Sequence, residues 1–334
     1  MYLNALKKSE KIFAVAPMMD WTDRHCRYFH RLLTRDALLY TEMVVADALI
    51  HGDVERHLAF DEAEHPLALQ LGGSEPVKLS KAAKMAQEWG YDELNLNVGC
   101  PSDRVQSGTF GACLMREPEL VAQCVSSMKQ VVDVPVTVKC RIGVDDQDPE
   151  ISLTELAGRV FDAGCDALWV HARKAWLQGL SPKQNRDVPP LDYDRVLQLK
   201  QTFSDRFIGI NGGLLSLDDA APLVGPLDGV MFGRAAYQNP SLLLNVDDTI
   251  YGSDSEALTM EEICTDMMAH ATDHIEQGGR LHHVTRHMIG LFQGIPGARR
   301  YRQIMTVDAA KPGADASVIE KAFAHMYTAR PDAA

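Results

Sequence analysis

A chain of 334 residues, 46% apolar and 24% charged, has the makeup of a folded globular protein, which excludes disorder as its main state. At ~150 residues per domain the length suggests two domains, or a large one with a small one. The formal net charge of −13, taken alone, argues against a polyanionic partner, and the absence of any run of ~18 apolar residues argues against a membrane span.

The chain opens on MYLNALKKSEKIF, which lacks an apolar stretch followed by a cleavage site, so a cytoplasmic protein is expected. Its seven cysteines contain no Cys-x-x-Cys spacing, so neither a disulfide framework nor a structural zinc site is expected, and no metal is assigned. Short apolar runs then recur roughly every thirty residues, the rhythm of βα units. They are 13–18, 37–43, 66–73, 93–100, 134–143, 167–173, 207–213 and 229–236. Helical patterns lie between them: 75–89 after Glu75-Pro76, 117–131 after Glu117-Pro118, and 152–163, where Ser152 and Glu155 have the spacing of a capping box. Eight strands with interposed helices predict an α/β fold, a TIM (β/α)8 barrel.

Past the eighth run the pattern changes. Residues 246–255 read as a linker. Thr259 and Glu262 form a second capping-box pattern ahead of Ile263, Met267, Ala271 and Ile275 at helical spacing. Gly278-Gly279 stops that helix, and further helices are predicted over 298–309 and 315–328. The expected organisation is therefore a barrel over 1–245 and a C-terminal all-α helical bundle over 256–334.

Alternation along barrel strands sends successive side chains to opposite faces. The aliphatic set, such as Leu94, Leu96 and Val98, is expected under the helices. The opposite set is polar and includes Gln70, Asn97, Lys139, Arg141, His171, Arg173 and Asn211. These should crowd the C-terminal mouth, where barrel enzymes keep their chemistry. Burying such groups without partners costs ~1–3 kcal/mol each, so a polar ligand is expected. Asn211-Gly212-Gly213 ends the seventh strand and Gly233-Arg234 the eighth, a pattern suited to a phosphate held by glycine N–H groups and a guanidinium. Cys100, in Asn97-Val98-Gly99-Cys100-Pro101-Ser102, follows the fourth strand. A thiol with a pKa near ~8.5 keeps its proton at neutral pH and can serve as a donor. Cys124, Cys140 and Cys165 suit the role of small buried hydrophobes better.

Taken together, APMMDWTD (16–23), LALQLGG (67–73), LNLNVGCPS (94–102), VKCRIG (138–143), VHAR (170–173), NGG (211–213) and FGRAA (232–236) resemble the flavin-dependent tRNA-dihydrouridine synthases. The likeness runs along essentially the whole chain. QSGTFGACLM (106–115), KQNRDVPPLDY (183–193) and GLFQGIPGARRYRQ (290–303) resemble the A-type subfamily, which reduces uridines 20 and 20a of the tRNA D-loop. The resemblance implies FMN in the barrel mouth, lined by Pro17, Met18 and Met19 and held by Gln70, Lys139 and His171. It implies a phosphate site at Asn211, Gly212, Gly213, Gly233 and Arg234. NADPH, or NADH, would reduce the flavin, and Cys100 would protonate C5 of the uracil. Asn97 and Arg186 match positions that hold the target base, and Lys183, Arg299 and Arg302 match positions that seat the tRNA. The chemistry agrees with this: hydride at C6 leaves charge at C5 and O4 that needs an acid, and the base must leave its stack to reach a barrel mouth. No role is assigned to Asp20, Asp23, Arg24 or Glu42.

Charge by region removes the objection raised by the total. Residues 256–334 hold eight Lys/Arg and ten Asp/Glu, a net of −2, so −11 of the −13 falls on 1–255. Between Arg280 and Thr306 stand five arginines and no acid, a patch suited to phosphates. Tyr301 within it is expected to pack inside the bundle. A monomer is expected. Three other readings remain open: an FMN barrel acting on a free pyrimidine, of the dihydroorotate type; a tRNA-binding folding helper; and a flavin-free barrel for a sugar phosphate.

Overall fold

The computed structural model describes residues 1–102, 110–253 and 257–328. The first four residues of the 106–115 motif and positions 254–256 lie outside the described residues. The eight expected strands all form: β1 (Ile12–Val15), β2 (Leu38–Val45), β3 (Leu67–Gly72), β4 (Glu93–Val98), β5 (Val136–Arg141), β6 (Ala167–His171), β7 (Phe207–Asn211) and β8 (Gly229–Phe232). They pair in parallel in chain order, and β8 returns to β1 to close a barrel.

By packing, the chain divides into two compact units: residues 1–19 with 38–233, and residues 20–37 with 234–334. In the first, the alternation of the strands works as expected. Leu67, Leu69 and Leu71, Leu94, Leu96 and Val98, and Val136, Val138 and Cys140 face outward and are fully buried under the helices. The inward set of the lower barrel is aromatic and small: Tyr40, Trp169 and Phe207 with Ala14, Ala68 and Ala167. Tyr2, from the N-terminal helix Tyr2–Lys8, joins this core and closes the barrel floor. Gly209 leaves room for Trp169, because a Cβ there would stand 2.3 Å from the indole ring.

The helices of this unit start and stop where the local chemistry requires. Pro76 opens Pro76–Trp89, and Gly90, at φ 96°, ends it in the left-handed region. One start differs from the expectation. The helix Pro149–Asp162 begins a turn before Ser152, capped by Asp148 on the Glu150 N–H. Pro149 at the first helical position has no N–H to leave unpaired and a preset φ. Ser152 therefore lies inside the helix, where its hydroxyl donates to the Asp148 and Ile142 carbonyls.

In the second unit, Thr259 and Glu262 form the expected capping box on Met260–Glu276. Further helices follow at Leu281–Thr285, Ala298–Gln303 and Ser317–Thr328, with a π-helical turn at Ile304–Asp308. Ile263, Met267, Val284, Tyr301 and Phe323 are buried in the core. Tyr301 packs as expected, its ring against Phe292 and Phe323 and its hydroxyl on the Met288 carbonyl. The segment 20–37 belongs to this unit although a boundary near 245 was expected. Its helix Arg24–Leu33 brings His25 against His270 and His274, and Thr34 donates to Asp247 at 2.5 Å. Within the stretch read as a linker, Val246–Tyr251 is a helix. Among the described residues, no helix is long and apolar enough to cross a membrane.

Candidate active site

Cys100 stands just beyond β4 in a turn built by the strand's own end. Asn97 Oδ1 accepts the N–H groups of Gly99 (3.1 Å) and Cys100 (3.0 Å). Two more bonds fix the backbone: Arg141 Nε donates to the Gly99 carbonyl at 2.9 Å, and the Ala112 N–H donates to the Cys100 carbonyl at 2.9 Å. The thiol is half-buried, with Sγ 3.4 Å from Ser102 Oγ. Cys124, Cys140 and Cys165 are buried; burial pushes the Cys124 and Cys140 thiols up to about 12, which makes them inert packing groups.

Around this turn the barrel mouth gathers positive charge. Lys139, at the upper end of β5, donates to Asn211 Oδ1 at 3.1 Å, and Asn211 Nδ2 in turn donates to the Met231 carbonyl. Burial, with Arg141 nearby, lowers Lys139 to about 8. Burial acts most strongly on His171, with Arg141, Lys139, Arg173 and Arg186 adding to it, so its ring is held well below the ordinary histidine value and stays neutral. Its Nδ1 is sealed from solvent and has no hydrogen-bond partner among the described residues. Arg141 sends Nη1 to the carbonyls of Lys174 and Asn185, both at 3.0 Å. One guanidinium thus ties the Cys100 turn to the loop after β6. Arg173, also expected in the mouth set, donates to the Pro189 carbonyl.

The glycines after β7 take backbone conformations that other residues avoid. Gly212 and Gly213 sit at φ 108° and 73°, and a Cβ on Gly212 would come 3.1 Å from His171. Tyr193 holds this turn by donating to the Gly212 carbonyl at 2.7 Å. Gly233 follows β8 with space around it, since a Cβ there would meet Met18 Sδ only at 3.7 Å. Arg234 begins the helix Arg234–Gln238 of the second unit. After β1, Pro17 and Met18 are half-buried and Met19 is 54% exposed.

The remaining expected residues divide. Gln70 and Asn97 bond to each other, Asn97 Nδ2 donating to Gln70 Oε1 at 2.8 Å. Lys183 and Arg186 are exposed on the loop after β6, and Arg186 lies near enough to lower both Arg141 and His171. Arg299 and Arg302 are exposed on the short helix Ala298–Gln303. Two residues went unread in the sequence. Asn185 is fully buried and staples the 174–187 loop, its Oδ1 accepting from the Trp176 N–H and its Nδ2 donating to the Trp176 and Leu180 carbonyls. Glu93, at the base of β4, is fully buried inside the barrel.

A closed eight-stranded parallel barrel with a cationic, glycine-edged mouth defines the chain as a TIM-barrel enzyme. Among solved structures, morphinone reductase shares this fold, at a TM-score of 0.52 and 14% identity over 76% of this chain and 88% of that one. The model of the dihydrouridine synthase (Dus) family matches residues 14–326, and the chain belongs to that family. It is 56% identical over 326 residues, covering 98% of this chain and 97% of the relative, to the tRNA-dihydrouridine(20/20a) synthase of Shewanella oneidensis. It is 55% identical over 312 residues, 93% of this chain and 90% of the relative, to the protein of that name from Escherichia coli.

Proposed function

We propose that the protein reduces the C5=C6 bond of uridines 20 and 20a in the tRNA D-loop to 5,6-dihydrouridine, with FMN as cofactor and NADPH as reductant. The near-full-length likeness to relatives named for that reaction carries the reading. The residues of the mouth fit the cofactor. A buried neutral imidazole whose Nδ1 has no partner among the described residues, a lysine amine and a glycine-built turn are donors and space for a polar-edged ring with a phosphate. Gln70, Lys139 and His171 hold the ring edge, and Asn211, Gly212, Gly213, Gly233 and Arg234 serve the phosphate end. FMN, when bound, supplies hydride to C6 of the base.

The chain's own residues do the rest. Cys100 Sγ–H delivers the proton to C5, where charge develops. The turn at Asn97 and the grip of Arg141 on Gly99 fix where that proton stands. Asn97 has a second amide hydrogen for the base, and Arg186, on the loop stapled by Asn185, is a donor for a uracil carbonyl. Lys139 faces the site as a cation that favours negative charge on a reduced ring. Lys183, Arg299 and Arg302 contact tRNA phosphates. Dihydrouridine mapping in tRNA from cells lacking the protein tests the reading: loss confined to positions 20 and 20a is expected, and loss at other positions with those two retained would overturn it.

A further inference from the structure

Five polar side chains of β3, β4 and β5 form one continuous chain with a single direction. The Cys100 N–H donates to Asn97 Oδ1 (3.0 Å), and Asn97 Nδ2 donates to Gln70 Oε1 (2.8 Å). Gln70 Nε2 then donates to Asn95 Oδ1 (2.8 Å), and Asn95 Nδ2 to Thr137 Oγ1 (2.8 Å). The Thr137 hydroxyl donates to Glu93 Oε1 at 2.5 Å. Both ends allow only this direction. A backbone N–H can only donate, and a carboxylate can only accept. Turning over any one amide between them would set oxygen against oxygen on one side and N–H against N–H on the other.

We propose that Glu93 is a positioning residue for the Cys100 turn, acting as the terminal acceptor that sets the amide orientations of Asn95, Gln70 and Asn97. Its surroundings suit that task. Tyr40 also donates to Oε1 and Tyr2 donates to Oε2, both at 2.5 Å, and Trp169 Nε1 donates to the Tyr2 hydroxyl at 3.2 Å. Oε1 therefore has two donors and Oε2 one, so a proton taken up by this carboxyl sits on Oε2, with the Tyr2 hydroxyl turning from donor to acceptor, and leaves Oε1 as the acceptor for Thr137. Among the described residues, Tyr2, Tyr40 and Asp166 are the titratable groups that act most on it. The buried carboxyl is expensive for the fold, and holding the chain in one orientation is what it provides in return. The inference rests on the reading of Cys100 as the proton donor only for its effect on turnover.

The test compares Thr137→Val, which breaks the chain at constant volume, with Glu93→Leu and Glu93→Gln in the full-length protein. Residue-resolved amide hydrogen exchange at Gly99 and Cys100 is read beside single-turnover reduction of tRNA uridine. Losing one such hydrogen bond is expected to speed exchange at these two amides ~10-fold in Thr137→Val and Glu93→Leu and to slow the uridine step ~3–10-fold. Glu93→Gln, which keeps an oxygen toward Thr137, should stay within ~2-fold of the parent on both measures. In the double variant Glu93→Leu/Thr137→Val the effects should not add, because both break one chain. Unchanged exchange at Gly99 and Cys100 in Thr137→Val would overturn the proposal, as would equal acceleration all along β4 or a Glu93→Gln as damaged as Glu93→Leu. If Glu93→Leu does not fold, Thr137→Val decides. The exchange measurement needs neither flavin nor tRNA, so it stands even if a Cys100→Ala enzyme turns over normally and the acid reading fails.

Discussion

Glu93 at the floor of the barrel and His171 at its mouth are both buried ionisable groups on inward-facing strand positions, yet their hydrogen-bonding states are opposite. Glu93 has three donors on its two oxygens, from Tyr2, Tyr40 and Thr137. His171 keeps Nδ1 sealed from water with no partner among the described residues. A buried polar group engaged by its own chain is already satisfied; one left unengaged costs stability until a ligand or a water engages it. The same contrast holds within the second unit. Arg286 is engaged on Asp23, whereas the exposed side chains of Arg299 and Arg302 have no hydrogen-bond or ion-pair partner among the described residues.

The sharpest way to break this contrast is at Cys100. A positioned proton donor contributes ~10²–10⁴-fold, so Cys100→Ala should lose about that much of the uridine step while retaining flavin and tRNA binding. Single-turnover rates with pre-reduced enzyme measure it, and a loss under ~10-fold would remove Cys100 from the donor role. The second largest effect belongs to the floor. Burial raises the Glu93 carboxyl from the ordinary 4.5 to about 7, despite the hydrogen bonds from Thr137, Tyr2 and Tyr40 that oppose the shift. Between those values the folded chain binds a proton that the unfolded chain does not. The contribution of this group is thus fully present below 4.5 and is lost as pH rises through about 7. Unfolding by urea across that window should show the parent losing about 3 kcal/mol relative to Glu93→Gln. A pH-independent difference between the two proteins would mean that Glu93 is not so perturbed.

How far the sequence carried this picture depends on the range of the interactions. The eight strands were legible because alternation is a local property, and so was the place of Cys100 just after the fourth; the grip of Asn97 on the Gly99 and Cys100 N–H groups went unread although it spans only two and three residues. Glu93 was not, because its partners Tyr2 and Tyr40 lie 91 and 53 residues away and meet it only once the barrel closes. The mouth set was legible as polar but not as divided: Asn97 donates to Gln70, and Arg141 grips backbone carbonyls, which alternation cannot foretell. Pro149–Asp162 starts a turn earlier than the Ser152 and Glu155 spacing predicts, because Pro149 suits the first helical position and Asp148 caps it. The grouping of 20–37 with the C-terminal helices has no local signal at all.

Two glycines sharpen the comparison between floor and mouth. At Gly209 a Cβ would stand 2.3 Å from the Trp169 ring, so Gly209→Ala overpacks the floor and should cost ~1–3 kcal/mol of stability. Gly233 has room for a Cβ, with Met18 Sδ at 3.7 Å, so Gly233→Ala should leave the melting temperature nearly unchanged while weakening flavin binding at the phosphate end. Thermal unfolding and flavin fluorescence titration separate the two. If Gly233→Ala binds flavin as the parent does, the strand-end glycine is only a turn residue.

The smallest effect is expected at the arginines. Asp23 caps the helix Arg24–Leu33 and is held well below the ordinary carboxylate range by His287, the helix N–H groups and Arg286, against the opposing effect of burial. Arg286→Ala therefore removes one partner of a structural carboxylate and should act on stability. Arg299→Ala/Arg302→Ala removes charges that no other side chain among the described residues engages, so it should leave stability alone and weaken tRNA binding ~10-fold, with a shallower dependence of log affinity on log salt. Titrations of tRNA at several salt concentrations, beside melting curves of the same proteins, measure both quantities. If Arg286→Ala proves the stronger binding defect at undiminished stability, then engagement within the chain is a poor guide to which cations face the tRNA, and the contrast drawn between floor and mouth would not extend to this unit.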